Sequence, residues 1–169
     1  MRTMYLALVA LVTLAACADT NGGNNPAGFD GGSGWKDDDI SAEELNDPTS
    51  RVYFENSVGN SVLFDVDGFT LNTSAKAALD IQAEWLLSNP GYVIVLEGHA
   101  DERGTREYNL ALGFRRAQSV QEYLVASGVS GLRLKTRSYG KERPVEICSS
   151  ERCYEKNRRT VTILTQSLS

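Results

Sequence analysis

The feature that most constrains this chain is a continuous apolar run, Tyr92 to Leu96, that leads through a polar loop with two glycines toward Thr105. A short run rich in Val and Ile predicts a buried, central strand. From about Thr105 a helical pattern extends to Ser127, and Gly128 suits the C-cap of that helix. The chain therefore contains a strand–loop–helix unit, and charged residues crowd its loop.

Two further patterns precede this unit. Val52–Phe54 and Val62–Phe64 flank Gly59-Asn60, which predicts a β-hairpin. Asn72 to Ser74 offers N-cap chemistry, and Ala75 to Ser88 has the i, i+3, i+4 apolar spacing of a helix.

Two more strands are predicted after the unit, at Leu132 to Tyr139 and at Arg159 to Leu164. Strands and helices thus alternate along most of the chain. This order predicts an α+β fold, an α/β sandwich in which two main helices pack on one face of a mixed sheet.

The N-terminus resembles a bacterial export signal. Met4–Ala16 is almost wholly apolar but shorter than the ~20 residues of a membrane span. It ends in Leu14-Ala15-Ala16-Cys17, which resembles the lipobox of bacterial lipoproteins, whose cysteine is lipidated. We therefore expect a signal peptide over residues 1–16 and acyl chains on Cys17, with an ordinary signal peptide as the alternative. The resemblance implies the outer membrane, because Ala18 stands where an inner-membrane lipoprotein tends to have aspartate.

Charge divides the remaining chain into two parts. Residues 18–51 hold eight acids against two bases, a net charge of −6, whereas residues 52–169 hold fourteen of each. The first part is rich in Gly, Asn, Asp and Ser and has no apolar periodicity, which predicts a flexible acidic tether over 17–50. The second predicts one domain over 51–169, and its balanced charge gives no basic footprint for nucleic acid.

The two cysteines of the predicted domain, Cys148 and Cys153, predict a disulfide because an exported protein lies in a compartment that permits one. Closing so short a loop would stabilise the fold by roughly 2 kcal/mol. A metal site would need more ligands than two cysteines and the distant His99, so we expect none.

The strand ends point to a binding site. If the strands that end at Asp65 and near Asp101 are neighbours, both carboxylates lie at one sheet edge, where ligands tend to bind. Arg116 lies about three helical turns beyond the loop, on the same face as Asn109 and Leu112. Two acids, an arginine and an amide make a pocket for a zwitterion. We expect Asp101 and Arg116 to be needed for binding and not for folding.

Simpler interpretations stay open at each position. Asp65 could be a turn or N-cap residue, Asp101 an Asx-turn residue, and Arg115-Arg116 a solvated helix face. His99 is expected to pack within the loop rather than act as a base, because a catalytic histidine needs an orienting acid and a nucleophile. The charges from Lys156 to Arg159 are interpreted as sheet-edge and loop charges.

Several motifs resemble one family. They are Glu97–Thr105, Glu107-Tyr108-Asn109, Leu112-Gly113, Arg116-Ala117, Ser138–Pro144 and Lys156–Arg159. Together they are similar to the OmpA-like C-terminal domain family, and within it to the peptidoglycan-associated lipoproteins, over roughly residues 60–165.

The resemblance implies a non-catalytic domain, without a cofactor, that binds meso-diaminopimelate in the peptide stem of peptidoglycan. Asp101 and Arg116 would take the ammonium and the carboxylate of that residue. The positions that would line the pocket are Phe64, Asp65, Thr105, Asn109 and Leu112. The implied partners are TolB and the Tol inner-membrane complex, with the protein lipid-anchored in the outer membrane, facing the periplasm and acting in cell division.

Two other functions compete with a lipid-anchored wall-binding protein. One is an exported peptidoglycan hydrolase or amidase that uses His99 and nearby acids. The other is a wall anchor of the flagellar-stator type, which would need a transmembrane helix that does not end at a lipobox.

Overall fold

A computed structural model of the protein describes residues 42–166. The predicted signal peptide, Cys17 and most of the predicted tether lie outside the described residues. The helices are α1 (Ala42–Asn46), α2 (Arg51–Tyr53), α3 (Thr73–Ser88), α4 (Arg106–Ala126) and α5 (Glu151–Asn157), with a π-helix at Phe54–Gly59 and a 3-10 helix at Gly131–Arg133. The strands are β1 (Ser61–Leu63), β2 (Tyr92–His99), β3 (Leu134–Gly140) and β4 (Arg159–Gln166).

The four strands form one mixed sheet in the order β1-β4-β2-β3. β2 pairs parallel with β3 and antiparallel with β4, and β1 pairs antiparallel with β4. The prediction that the apolar run of β2 is a central strand is therefore confirmed. The predicted mixed sheet is confirmed as well.

Helices α3 and α4 bury their apolar residues against one face of this sheet. The strands contribute Val62, Ile94, Leu96, Leu134 and Leu164, and the helices contribute Leu79, Ala83, Leu86, Ala117, Val120 and Leu124. All of these side chains belong to one hydrophobic cluster. The predicted sandwich of two main helices on one face of the sheet is confirmed.

The helix boundaries follow from local capping, as the sequence predicts. Asn72 Oδ1 accepts a hydrogen bond from the backbone N–H of Ala75 at 2.9 Å and begins α3. Thr105 Oγ1 accepts one from the N–H of Tyr108 at 3.2 Å and begins α4. After the end of α4, Gly128 adopts a φ of 100°, which favours glycine.

Helix α4 approaches strand β2 very closely where two glycines face each other. A Cβ atom on Gly98 would lie 1.8 Å from the carbonyl oxygen of Gly113, and one on Gly113 would lie 2.4 Å from Ser138 Oγ. No side chain fits at either position. These glycines therefore set the distance between helix α4 and the end of strand β2.

The predicted hairpin is wrong in its first strand, because Val52–Phe54 is helical rather than extended. Ser50 Oγ accepts a hydrogen bond from the N–H of Tyr53 at 2.9 Å and caps α2. Phe54 is fully buried, with its ring centroid 4.8 Å from that of Trp85. A strand would send Tyr53 and Phe54 to opposite faces, whereas the helical turns pack both, together with Val58, against one cluster.

The last residues of the predicted tether contact the domain. Trp85 Nε1 donates to the carbonyl of Pro48 at 2.7 Å, and the Tyr92 hydroxyl donates to the carbonyl of Thr49 at 2.9 Å. The boundary between tether and domain at residue 51 stays a prediction. Within residues 42–166, no helix is both long and apolar enough to cross a membrane.

Candidate functional site

The site forms at the edge of the sheet where β1 and β2 end. These strands are not neighbours, because β4 lies between them and runs antiparallel to both. Their carboxyl ends therefore reach the same edge, and the residue that precedes β4, Arg158, reaches it too. Arg158 Nε donates to the carbonyl of Phe64 at 3.1 Å, which joins the end of β1 to the start of β4.

Asp101, just after β2, is almost fully buried between two arginines. Arg103 donates through Nη2 to Oδ2 at 2.6 Å and through Nε to Oδ1 at 3.2 Å. Arg158 Nη1 lies 3.4 Å from Oδ2. Burial acts to raise the pKa of Asp101, but the hydrogen bonds and charge of Arg103, with the hydrogen bond from Arg158, outweigh it and lower the pKa. The carboxylate is therefore ionised at neutral pH.

Asp101 also makes the Asx turn that the simpler interpretation expects, since Oδ1 accepts from the backbone N–H of Arg103 at 3.1 Å. The turn and the ion pair with Arg103 use the same carboxylate. The short loop from Asp101 to Arg103 therefore holds the Asp101 carboxylate in one orientation.

Arg116 is fully buried in the inner face of α4, so its interpretation as part of a solvated face is wrong. It donates to three backbone carbonyls, those of Gly68 at 2.7 Å, His99 at 2.8 Å and Asp65 at 3.2 Å. Burial and the charge of Arg158 lower its pKa to about 10, which leaves the guanidinium charged at neutral pH. Three of its five N–H donors meet a protein acceptor within residues 42–166, and no hydrogen bond to these residues is recorded for the other two.

The burial and contacts of Arg116 argue against the expectation that it is dispensable for folding, which stays a prediction. Its guanidinium ties the carbonyl ends of β1 and β2 to helix α4, and its Cζ atom lies 5.3 Å from the centre of the Phe64 ring. Removing the side chain would leave the buried carbonyl of His99 without this donor, which costs free energy of folding.

A hollow of about 360 Å³ opens above these groups, and we call it the Asp101 hollow. It is lined by Val66, Asp67, Asp101, Arg103, Gly104, Tyr108, Asn109, Leu112 and Arg116. Four of the seven predicted ligand-binding residues line it: Asp101, Asn109, Leu112 and Arg116. The other three lie around it, with Phe64 under Arg116, Asp65 accepting from Arg116 through its carbonyl, and Thr105 capping α4. Their contacts with a ligand stay predictions.

Sequence reasoning missed four charged or polar side chains of the site. Arg103 and Arg158 hold Asp101, while Tyr108 donates a hydrogen bond to Asp67 across the mouth of the hollow. That hydrogen bond raises the pKa of Tyr108. Arg103, two residues after an Asx-turn aspartate, could have been found from spacing. Arg158 could not, because its place depends on the position of β4 in the sheet.

The interpretation of Arg158 and Arg159 as sheet-edge and loop charges is also wrong. Both side chains are buried, with the two residues only 4% and 8% exposed. Arg159 donates to the carbonyls of Asn157 and Arg143, and Arg158 to that of Phe64. These arginines hold chain segments together at the start of β4.

Glu151, at the start of α5, completes the cluster of charges. Its Oε1 lies 2.7 Å from Arg158 Nη2, and its Oε2 lies 3.6 Å from Arg103 Nη1. Of the charged side chains that line the Asp101 hollow, two are cationic (Arg103, Arg116) and two are anionic (Asp67, Asp101). These four charges sum to zero, so they suit a ligand group that carries charges of both signs and is neutral overall.

Comparison with known proteins shows which family has this fold. The model of the OmpA family matches residues 63–158, which are more than half of the chain and include every residue that lines the Asp101 hollow. The chain belongs to the OmpA family.

Relatives of this OmpA-family chain include two curated proteins named peptidoglycan-associated lipoprotein. That of Rhizobium meliloti is 47% identical over 162 residues, which cover 95% of this chain and 86% of the relative. That of Pseudomonas aeruginosa is 46% identical over 140 residues, which cover 82% and 77%.

Solved structures show the same fold. The peptidoglycan-associated lipoprotein from Burkholderia pseudomallei aligns with a TM-score of 0.63 and 38% identity over 72% of this chain and 99% of its own. The C-terminal domain of Helicobacter pylori MotB aligns with a TM-score of 0.60 and 20% identity over 64% of this chain and 86% of its own, a likeness of fold alone.

His99 packs inside this OmpA-family domain. It is 2% exposed and stacks on Tyr139, with the ring centroids 5.6 Å apart. Burial and the positive charges of Arg159 and Arg143 lower its pKa to about 4. An imidazole with so low a pKa is a weak base at neutral pH. These features agree with a packing role.

The predicted disulfide between Cys148 and Cys153 is confirmed, with the two Cα atoms 5.9 Å apart. It joins an exposed loop to α5, on which Cys153 is buried. The disulfide therefore lies at the same helix that carries Glu151.

Proposed function

We propose that this OmpA-family protein binds the peptide stem of peptidoglycan without cleaving it and anchors the outer membrane to the wall. The observation that carries the proposal is that Asp101 and Arg116 line one hollow within a cluster of zero net charge. A carbon that bears both an ammonium and a carboxylate matches such a site. The free end of meso-diaminopimelate in the peptide stem is a group of this kind. The curated relatives are named peptidoglycan-associated lipoproteins, which supports peptidoglycan as the larger ligand.

In this proposal the ligand carboxylate lies against the two remaining N–H donors of Arg116, and the ligand ammonium lies against Asp101. Arg103 has a side chain that is 44% exposed, so it can move aside and release part of the Asp101 carboxylate. Arg158, whose side chain is 5% exposed, stays in place and continues to lower the pKa of the carboxylate through its hydrogen bond. Asn109, held by a 2.8 Å hydrogen bond from its Nδ2 to the carbonyl of Arg103, forms part of the floor.

We further propose that the protein is not an enzyme. The low pKa and deep burial of His99 argue against a hydrolase that uses it as a base. Wall hydrolysis is an outcome that the binding experiment below detects directly.

Attachment and partners belong to the same proposal. The lipobox-like sequence Leu14-Ala15-Ala16-Cys17 supports acyl chains on Cys17, and more than one chain is needed for stable anchoring. Mass spectrometry of the mature N-terminus tests this, because an unmodified Cys17 would contradict it. We propose TolB and the Tol inner-membrane complex as protein partners, with TolB contacting the surface around the Asp101 hollow. Purified TolB should then compete with peptidoglycan for this protein.

The deciding experiment is co-sedimentation of the purified protein with peptidoglycan sacculi, with and without free meso-diaminopimelate. We expect the protein to pellet with the sacculi, the free amino acid to release it, and the supernatant to contain no soluble wall fragments. Fragment release would favour the hydrolase. A protein that stays in the supernatant would contradict wall binding.

A further inference from the structure

We propose that Glu151 is a positioning residue for the binding site, and that the Cys148–Cys153 disulfide holds Glu151 where it acts. Reducing the disulfide should therefore weaken ligand binding. This inference rests on the proposed function, since it concerns what determines the ligand affinity of the same site.

The contacts of Glu151 connect both arginines that hold Asp101. One carboxylate oxygen lies 2.7 Å from Arg158 Nη2 and the other lies 3.6 Å from Arg103 Nη1. The same two guanidinium groups reach Asp101 at 3.4 Å and 2.6 Å. Glu151 thus lies behind the site, does not line the hollow, and orients both arginines toward the carboxylate that would meet the ligand.

A second contact from α5 acts on the same arginine. The Arg103 guanidinium carbon lies 4.5 Å from the centre of the Tyr154 ring, a cation–π distance. Tyr154 lies three residues after Glu151, so both side chains come from one face of the helix. The position of α5 therefore determines where the movable arginine of the site rests.

Helix α5 depends on its surroundings for this position. It has seven residues, whereas isolated helices shorter than about 12–15 residues are marginal in water. Its C-terminal end is anchored by Asn157, which accepts from the N–H of Val145 at 2.9 Å and donates to the carbonyl of Glu146 at 2.9 Å.

The N-terminal end of α5 is anchored by the disulfide. Glu151 lies between Cys148 and Cys153 in the sequence, within the loop that the bridge closes. Cys148 itself lies in an exposed loop, so without the bridge this turn is held less firmly. Reduction should loosen the turn that carries Glu151 and leave the Asn157 end in place.

Dithiothreitol supplies the reduction in the test. One of its thiolates attacks a sulfur of the bridge and forms a mixed disulfide, and its second thiol then displaces the protein sulfur. Two electrons pass to the protein, which takes up two protons and ends with two thiols. The reagent ends as a cyclic disulfide.

The experiment measures the affinity for the stem tripeptide L-alanyl-γ-D-glutamyl-meso-diaminopimelate by isothermal titration calorimetry. We expect oxidised wild-type protein to bind about three- to tenfold more tightly than reduced protein, the range for losing partly exposed ion pairs. Oxidised Glu151→Gln should bind the tripeptide more weakly than oxidised wild type by a similar factor. Its reduction should weaken binding little further, because reduction and the substitution act on the same contacts of Glu151. Glu155→Gln, on the same helix, is the matched control and should behave as wild type in both states.

The alternatives give distinct results. Equal affinities of oxidised and reduced wild type would overturn this inference alone, as would an undiminished effect of reduction in Glu151→Gln. No binding by the oxidised wild type would overturn the proposed function and this inference with it. If reduced protein loses its fold by circular dichroism, the comparison of oxidised Glu151→Gln with oxidised Glu155→Gln decides, and equal affinities there would overturn the inference.

Discussion

Arg158 Nη1 lies 3.4 Å from Asp101 Oδ2, although 57 positions separate the two residues in the sequence. They meet because β4 runs antiparallel between β1 and β2 and begins at the edge where both of those strands end. The strand order of the sheet therefore supplies a buried cation that, after Arg103, helps to lower the pKa of Asp101.

Asp101→Asn should weaken binding of the diaminopimelate tripeptide by at least about tenfold, since losing one partner of a charge-assisted contact typically costs ~2–5 kcal/mol. The amide keeps the shape of the side chain and removes its charge. Arg115→Ala is the matched control, because Arg115 lies on the exposed face of α4 and is not among the lining residues. Titration calorimetry of both variants checks this, and equal losses would contradict the role of Asp101.

Arg116→Ala should destabilise the fold by about 1–3 kcal/mol, because it removes the donor to the buried carbonyl of His99 together with the hydrogen bonds to Gly68 and Asp65. Urea denaturation measures the free energy of unfolding directly. Arg115→Ala should change it by no more than about 0.5 kcal/mol. If the two variants unfolded at the same urea concentration, the structural role of Arg116 would be refuted.

Gly98→Ala should destabilise the fold by about 2–3 kcal/mol, because the new Cβ would lie 1.8 Å from the carbonyl oxygen of Gly113. Gly91→Ala is the control. Nothing lies within 4 Å of a Cβ at Gly91, so the change should be neutral or stabilise by up to about 1 kcal/mol. Thermal unfolding distinguishes the two, and similar melting temperatures would contradict the close packing of α4 on β2.

The buried His99 should make stability depend on pH. Its pKa is about 4 in the folded protein, against 6.5 as its ordinary value, so the unfolded chain binds the proton more readily. The contribution is fully present above pH 6.5 and is lost as the pH falls toward 4, by up to about 3 kcal/mol.

A His99→Phe variant lacks this titration and serves as the reference, because the carboxylates titrate in both proteins. As the pH falls from 6.5 to 4, we expect the free energy of unfolding of the wild type to fall by up to about 3 kcal/mol more than that of the variant. Parallel curves over this range would show that His99 is not held neutral by burial.

The sequence predicts the parts of the fold that have strong local signals. Helices α3 and α4 carry caps at Asn72 and Thr105 and a continuous apolar spacing, and β2 is an unbroken apolar run. The segment Val52–Phe54 has a cap at Ser50 but no continuous apolar spacing of a helix. Its aromatic residues are compatible with either a strand or a helix, and the packing of Phe54 on Trp85 favours the helix.

Helix α5 was not predicted because Glu151–Asn157 is short and polar, and the disulfide and Asn157 hold it from outside. The candidate site likewise has residues that the sequence predicts and residues that it does not. Spacing brings Asp101 and Arg116 toward one pocket. Arg158, which pairs with Asp101, and Glu151, which pairs with Arg158, come from α5 and the turn before β4, so only the tertiary arrangement reveals them.

The central claim is that the Asp101 hollow recognises a carbon bearing both an ammonium and a carboxylate. The most direct test compares two stem tripeptides that differ only at the third residue, meso-diaminopimelate or L-lysine. The lysine peptide keeps the ammonium and lacks the carboxylate that would meet Arg116. We expect calorimetry to show the diaminopimelate peptide binding at least about tenfold more tightly, as the loss of one charged contact predicts. Equal affinities for the two peptides would contradict the account.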